Sequence, residues 1–265
     1  MRIGIIGCAG RMGRMLLRTV LDSPGAQLGG GIERPGHPAL GDDLGVLAGI
    51  EPVGMCVTDD AAALFETSNA VIDFSTPAAS LVHAPLAAVH HTALVVGTTG
   101  LAVDHRAALA QASETTPVVV AANMSVGVNL LLGLTRRVAE VLGPEYDIEI
   151  VEMHHRHKVD APSGTALALG EAAAAGRGTA LEDAAVRVRD GHTGARPAGA
   201  IGFATLRGGD VVGEHTVIFA GDGERLELTH KATSRSVFAT GAVRAALWCE
   251  GRAPGLYTMR DVLGL

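Results

Sequence analysis

Residues 152–166 read EMHHRHKVDAPSGTA, which places three histidines, an arginine, a lysine and an aspartate within nine residues. These side chains can attract an anion and move a proton. Lysine carries a fixed charge, and histidine titrates near neutrality and can serve as a general acid. Ser163, Gly164 and Thr165 follow, at the head of an Ala- and Leu-rich stretch. Hydroxyls and backbone N–H groups at a helix N-terminus favour an anion, because the helix dipole is positive there. Lys158, His154 and His155 surround the same spot, Asp160 can orient Lys158 or cap the turn, and Pro162 fixes the backbone before the helix. Such a site suits a small carboxylate-bearing substrate that takes hydride on one side and a proton on the other. Two other readings compete. Glu152, His154, His155 and His157 are plausible metal ligands, but adjacent histidines on a strand face opposite ways and no H-E-x-x-H is present. A solvated charged loop is the plainer alternative.

A second set of residues points to a hydride donor. The stretch 7-GCAGRMG-13 has glycines at positions 7, 10 and 13, a variant of the G-x-G-x-x-G dinucleotide fingerprint. Gly7 permits a tight turn out of a strand, Gly10 lets backbone approach a pyrophosphate, and Gly13 lets the helix pack closely on the sheet. Cys8, Ala9, Arg11 and Met12 complete this phosphate loop. Glu33 lies 20 residues after Gly13, where a carboxylate can hold a ribose diol; Arg34, or Arg11, could pair with a 2′-phosphate. The Glu33–Arg34 pair suggests acceptance of both NADH and NADPH. Two more loops, Gly97-Thr98-Thr99-Gly100 and the one opening Ala121-Ala122-Asn123-Met124, fall at predicted strand ends, where small residues let a nicotinamide ring lie against backbone. Each feature alone is also compatible with an ordinary glycine-rich or helix-capping turn.

The elements that must position these residues are legible in the hydrophobic pattern. Apolar runs at 2–7, 26–33, 70–75, 93–99 and 117–123 alternate with helical patterns at 11–22, 77–90 and 102–114. Strand and helix alternating without tight hairpins predicts a doubly wound parallel sheet covered on both faces. A long helix from 126 to about 142 follows, then 147–155 alternates as a half-buried strand does, and a helix covers about 164–175. Residues 176–200 have little period and suggest a mobile or lid-like loop. Two strands flank 221-GDGE-224, a hairpin signal that implies a mixed or antiparallel sheet. A last helix over about 236–248 can return to the first domain. The expected class is α/β: a Rossmann-type domain (1–125 and 236–265) plus an α+β domain with an open mixed sheet (126–235).

Composition removes several functional classes. Net charge −7 and 3% aromatics argue against a basic nucleic-acid footprint and against base-stacking platforms. No apolar run is long enough to span a membrane. Three scattered cysteines without C-x-x-C suggest a reducing compartment, with the cytoplasm as default, and no thiolate zinc site.

The run HHRHKVDAPSGTA resembles the signature of the bacterial dihydrodipicolinate reductases, and the likeness extends over the whole chain through GCAGRMG, DFSTP, VVGTTG, AANMSVGVN, the GHTGARPAGAIGFATLRGGDVVGEHTVIFAGDGERLELTHKA stretch, GAVRAALW and MRDVL. The resemblance implies reduction of a cyclic unsaturated imine dicarboxylate by NADH or NADPH, after or with loss of water, in lysine and diaminopimelate biosynthesis. It implies a homotetramer built through the open sheet of the second domain. By resemblance His154 is the acid/base histidine, Lys158 the proton donor, and His155, Ser163, Gly164 and Thr165 the dicarboxylate contacts. Thr99 falls near substrate and nicotinamide, and Met124 stands where other members can carry Phe. Hydride then comes from the other domain, so closure is expected about hinges near 125–126 and 233–237. A semialdehyde dehydrogenase would need a cysteine nucleophile at the site. A dinucleotide sensor would have no use for the Lys158 cluster.

Overall fold

The computed structural model describes all 265 residues, and the chain divides into two compact units, Met1–Val126 with Ser236–Gly264, and Gly127–Arg235 with Leu265. In the first unit β1 (Arg2–Ile6) leads into α1 (Arg11–Asp22), β2 (Gln27–Ile32), and two short helices α2 (Leu44–Leu47) and α3 (Ala61–Thr67). The pattern continues as β3 (Ala70–Asp73), α4 (Pro77–His90), β4 (Ala93–Val96), α5 (Val103–Ala112) and β5 (Pro117–Val120). β3 and β4 are buried at every position and β1 at four of five. Strands buried on both faces read as unbroken apolar runs, which is why their pattern is continuous. The predicted strands overshoot at their C-terminal ends by one to three residues, because small and apolar residues continue into the loops there.

The second unit begins in α6 (Val126–Leu142), followed by β6 (Asp147–His154), α7 (Gly164–Gly176), a short α8 (Leu181–Ala184), β7 (Ala185–Val186), β8 (Ile201–Arg207), β9 (Gly213–Gly221) and β10 (Glu224–Ala232). The strands form a five-stranded sheet in the order β10-β9-β6-β8-β7, antiparallel at β10–β9 and β9–β6 and parallel at β6–β8 and β8–β7. Alternate residues Ile148, Ile150, Val217 and Phe219 turn to one face and pack with Leu169 and Ala173 of α7. The chain then returns to the first unit with α9 (Ser236–Trp248), β11 (Gly255–Tyr257) and α10 (Met259–Leu263), and β11 adds a sixth parallel strand beside β5. The first sheet is therefore β11-β5-β4-β3-β1-β2, parallel throughout. The expected doubly wound sheet and second mixed sheet are both present.

Besides the short elements α2, α3, β11 and α10, which the pattern did not announce, two regions of the second unit differ from expectation. β8 was not foreseen, since Gly202 and Ala204 weaken its alternation. The stretch 176–200 is tied down: Arg196 bonds Glu149, Asp147 and the Ile148 carbonyl, and Arg189 forms a bidentate pair with Glu149 at 2.8 Å. Arginine at 189 and 196 thus fastens a segment whose composition alone reads as loose. Arg196→Ala is expected to lower unfolding free energy by roughly 1–3 kcal/mol, since half-buried carboxylate and carbonyl acceptors lose a charged donor. Urea unfolding would measure it, and limited proteolysis should find new cuts within 187–200.

Candidate functional site

In the parallel sheet β2 and β3 lie on opposite sides of β1, so the order in which strands are added reverses between β1 and β3. Ligands of doubly wound sheets bind beyond the C-terminal strand ends at that point. Gly7 turns out of β1 with φ +70°, and its N–H and that of Cys8 both donate to the Ile32 carbonyl. Gly10 caps α1 without a side chain, and the N–H groups of Arg11, Met12 and Gly13 have no partner further up the helix. A methyl at Gly13 would strike the Gly7 carbonyl and the Cys8 backbone, so this glycine is what lets α1 sit on the loop. Ala9 N–H donates to Glu33 Oε1 at 2.9 Å, joining the phosphate loop to the acidic residue after β2. A cavity of about 660 Å³ opens here, lined by Gly7, Ala9, Gly10, Glu33, Arg34 and Ser75. Its size and its bare helix N-terminus fit a nucleotide.

The loops after β3, β4 and β5 share this edge. Asp73, fully buried, holds the first two: Ser75 bonds one carboxylate oxygen, His83 Nδ1 lies 2.7 Å from the other, and Gly97 N–H donates to the Asp73 carbonyl at 2.9 Å. The Phe74 ring lies against Gly97, where any side chain would collide. Thr98 is buried and Thr99 exposed; Ala121 N–H donates to the Val96 carbonyl, Ala122 is exposed, and Asn123 Oδ1 accepts from Ser125 N–H. Two candidates turn inward. Met124 is 1% exposed and packs in the core near α9, and the Cys8 thiol is buried, with burial and then Glu33 pushing its pKa up to about 12. These two can offer a ligand backbone only.

The charged cluster lies in the second unit, at the end of β6. Glu152 is 1% exposed. Its carboxylate accepts from both Arg207 terminal nitrogens at 2.7 and 2.9 Å and from Ser163 N–H at 3.0 Å, and lies 2.6 Å from His154 Nδ1. Burial opposes its ionisation, but the Arg207, His154 and Ser163 bonds outweigh that and hold it below the usual carboxylate range. For His154 burial prevails over Glu152 and lowers the pKa. Ser163 caps α7 through its hydroxyl, which accepts from Ala166 N–H at 3.1 Å and lies 3.0 Å from His215 Nε2. The His154 and His215 rings meet edge-on with centroids 5.1 Å apart.

Lys158 pairs with Asp160 at 2.8 Å, and its side chain is about one-fifth exposed. Gly164 is exposed with open space before it, and Thr165 is the next residue of the same first turn. His155 is half-buried, its Nε2 3.5 Å from Arg235, while His157 is exposed. The cluster thus gathers His154, Ser163 and the α7 N-terminus around Glu152, with Lys158 held beside it by Asp160. No group of three or more His, Cys, Asp or Glu side chains is arranged to hold a metal ion.

Sequence reading overlooked Arg207, Gly213 and His215. Arg207 stands opposite His154 on the unrecognised β8. His215 pairs with Glu152 across β6–β9. A polar residue in phase with the apolar Val217 and Phe219 of β9 was the available signal.

A parallel dinucleotide-type sheet and a separate α+β unit carrying a cluster of histidine, lysine and arginine side chains define a two-domain oxidoreductase. The chain belongs to the dihydrodipicolinate reductase family: the model of that family's N-terminus matches residues 1–124 and that of its C-terminus residues 127–263. It is 56% identical to the 4-hydroxy-tetrahydrodipicolinate reductase of Methylocella silvestris over all of this chain and 97% of that protein. It is 55% identical to the enzyme of the same name from Brucella abortus, over 100% and 99%. Among solved structures, the dipicolinate-bound dihydrodipicolinate reductase from Paenisporosarcina sp. TG-14 superposes with TM-score 0.79 at 23% identity, covering 98% of each chain. An amine dehydrogenase from Mycobacterium smegmatis shares the fold at TM-score 0.61 and 15% identity, covering 97% of this chain and 95% of that one.

The buried His215 sets a pH response. Burial, then His154, lowers its pKa from 6.5 to about 4. The unfolded chain therefore binds the proton first as pH falls. Stability is complete above 6.5 and is lost on acidification through that window, by roughly 3 kcal/mol. Urea unfolding at a series of pH values should show a shallower acid slope for His215→Leu; parallel curves would contradict this.

Proposed function

We propose that this chain reduces 4-hydroxy-tetrahydrodipicolinate, or the dihydrodipicolinate formed from it by loss of water, to tetrahydrodipicolinate in lysine and diaminopimelate biosynthesis, with NADH or NADPH as reductant. The observation that carries this reading is the Lys158–His154–α7 cluster in a chain that matches the reductase family over both halves. From the hydroxylated substrate, one hydride and one proton are consumed and one water leaves.

The nicotinamide nucleotide supplies the hydride when bound. The residues that would hold it are the 7–13 loop by its N–H groups, Glu33 and Arg34 at the ribose, and the 97–99 and 121–124 loops by their backbone. Glu33 favours a free 2′-hydroxyl and Arg34 a 2′-phosphate, so the pair supports use of either nucleotide.

The substrate's two carboxylates meet the first turn of α7, at Gly164 and Thr165 beside the Ser163 cap, together with His155. Lys158 supplies positive potential and the proton, and His154 serves as the acid/base partner. The field is local to the site, so the chain's net charge of −7 does not cancel it. The rival chemistry through a cysteine finds no support: burial pushes Cys8 and Cys249 both to about 12, and Cys56 lies outside every loop described above. A binding-only dinucleotide sensor leaves the Lys158 cluster without a purpose.

The reading includes a cytoplasmic homotetramer. What supports assembly is the outer face of the second sheet, where Val151, Met153, Ala204, Leu206, Thr216 and Ile218 form a largely apolar surface on strands whose other face is core. Three free cysteines suit a reducing compartment, and no helix is long and apolar enough to cross a membrane.

The test follows loss of NADH or NADPH absorbance with substrate generated in place by the upstream synthase from pyruvate and aspartate semialdehyde. Turnover should vanish when either precursor is omitted. Lys158→Ala should lower turnover by about 10²-fold or more while leaving NADH affinity unchanged. Collapse of cofactor affinity in that variant would contradict the placement of the lysine.

A further inference from the structure

Glu152 carries a buried negative charge, and each bond it accepts reaches a different part of the cluster: Arg207 on β8, Ser163 at the start of α7, and His154 two residues along β6. A carboxylate kept ionised by Arg207 has only lone pairs to offer. The 2.6 Å contact therefore requires the proton on His154 Nδ1. A neutral ring protonated there leaves Nε2 as a bare acceptor. Position 213 keeps that nitrogen clear: a methyl at Gly213 would stand 3.0 Å from Nε2, tighter than ordinary contact.

Burial opposes a second proton on the ring against the pull of Glu152, and the Lys158 and Arg207 charges add to that opposition. Facing or neighbouring it are Glu152 on β6, Arg207 on β8, His215 on β9, His230 on β10, and Lys158 and Asp160 in the following loop. Glu152 favours an imidazolium through its bond to Nδ1, but it is shared with Arg207, and Asp160 is paired with Lys158. Burial then favours the neutral ring.

We propose that Glu152 and Arg207 are positioning residues that hold His154 as the neutral Nδ1–H tautomer, so that Nε2 meets the ligand as a hydrogen-bond acceptor. The proton consumed in turnover is then held on Lys158, which passes it to a ring carbon of the substrate, becomes a neutral amine and regains a proton from solvent. An acceptor at Nε2 suits a ligand presenting an O–H or N–H donor, as the hydroxylated heterocycle does. The role in turnover rests on the function proposed above; the tautomer does not.

The experiment records nitrogen NMR of protein labelled in its histidine rings, with His154 assigned by its disappearance in His154→Gln. Near neutral pH the wild type should show Nδ1 protonated and Nε2 bare. In Glu152→Gln the amide oxygen, turned to the Ser163 N–H and Arg207, leaves the amide N–H facing Nδ1, which then accepts, and the pattern should invert. In that variant kcat/KM should fall by roughly tenfold or more with NADPH affinity unchanged. Arg207→Gln should move the ring's titration to higher pH. A wild-type ring protonated on Nε2, or on both nitrogens, at neutral pH overturns the proposal whether or not the variants fold. An inverted tautomer with unchanged kcat/KM overturns the catalytic half. A wild type inactive on this substrate but with the expected ring pattern overturns the function and supports the hold of Glu152 on the tautomer.

Discussion

A carboxylate buried in protein must be compensated or it will not stay ionised, and the second unit is organised around that requirement at Glu152. Leaving it without Arg207 would strand a charge at a cost of several kcal/mol. The compensation dictates position. Arg207 has to come from a strand parallel to β6 and in register with His154, which β8 supplies. The Ser163 N–H has to be carried back to the end of β6, which fixes where α7 begins and hence where its positive N-terminus points. The 155–163 loop is pinned at both ends by the same carboxylate, and Lys158 is carried on it.

The anion sites proposed for the two units are built in different ways. In the first, backbone does the work: a glycine turn, an uncapped helix start and a carboxylate that closes the loop through Ala9 N–H. In the second, side chains provide fixed charge beside a helix start. The difference suits their proposed ligands. A pyrophosphate is bound and released intact, whereas a dicarboxylate that takes up a proton needs titratable groups held in defined states. Asp73 in the first unit parallels Glu152, as a buried carboxylate whose bonds to Ser75 and His83 and whose backbone carbonyl gather the loops after β3 and β4.

Most of the architecture was legible because burial on both faces of a parallel sheet leaves continuous apolar runs between amphipathic helices. The phosphate loop, Glu33 and the His154–Thr165 run were legible because their spacing is local. What could not be read depends on pairing between distant strands. Arg207 lies 55 residues from Glu152, on a strand whose small residues hide its period. His215 is visible only once β9 is registered against β6. The orientation of the Cys8 and Met124 side chains was not legible either: local helix–sheet packing turns both into the core, so these positions present backbone alone.

The most direct test of the account is hydrogen–deuterium exchange on the NADH-saturated protein with and without dipicolinate. Bound dicarboxylate should slow exchange across 152–166, strongest at the first turn of α7, and leave the already occupied 7–13 loop unchanged. Protection confined to the first unit, with none at 163–165, would place the dicarboxylate away from the Glu152 cluster and contradict the account.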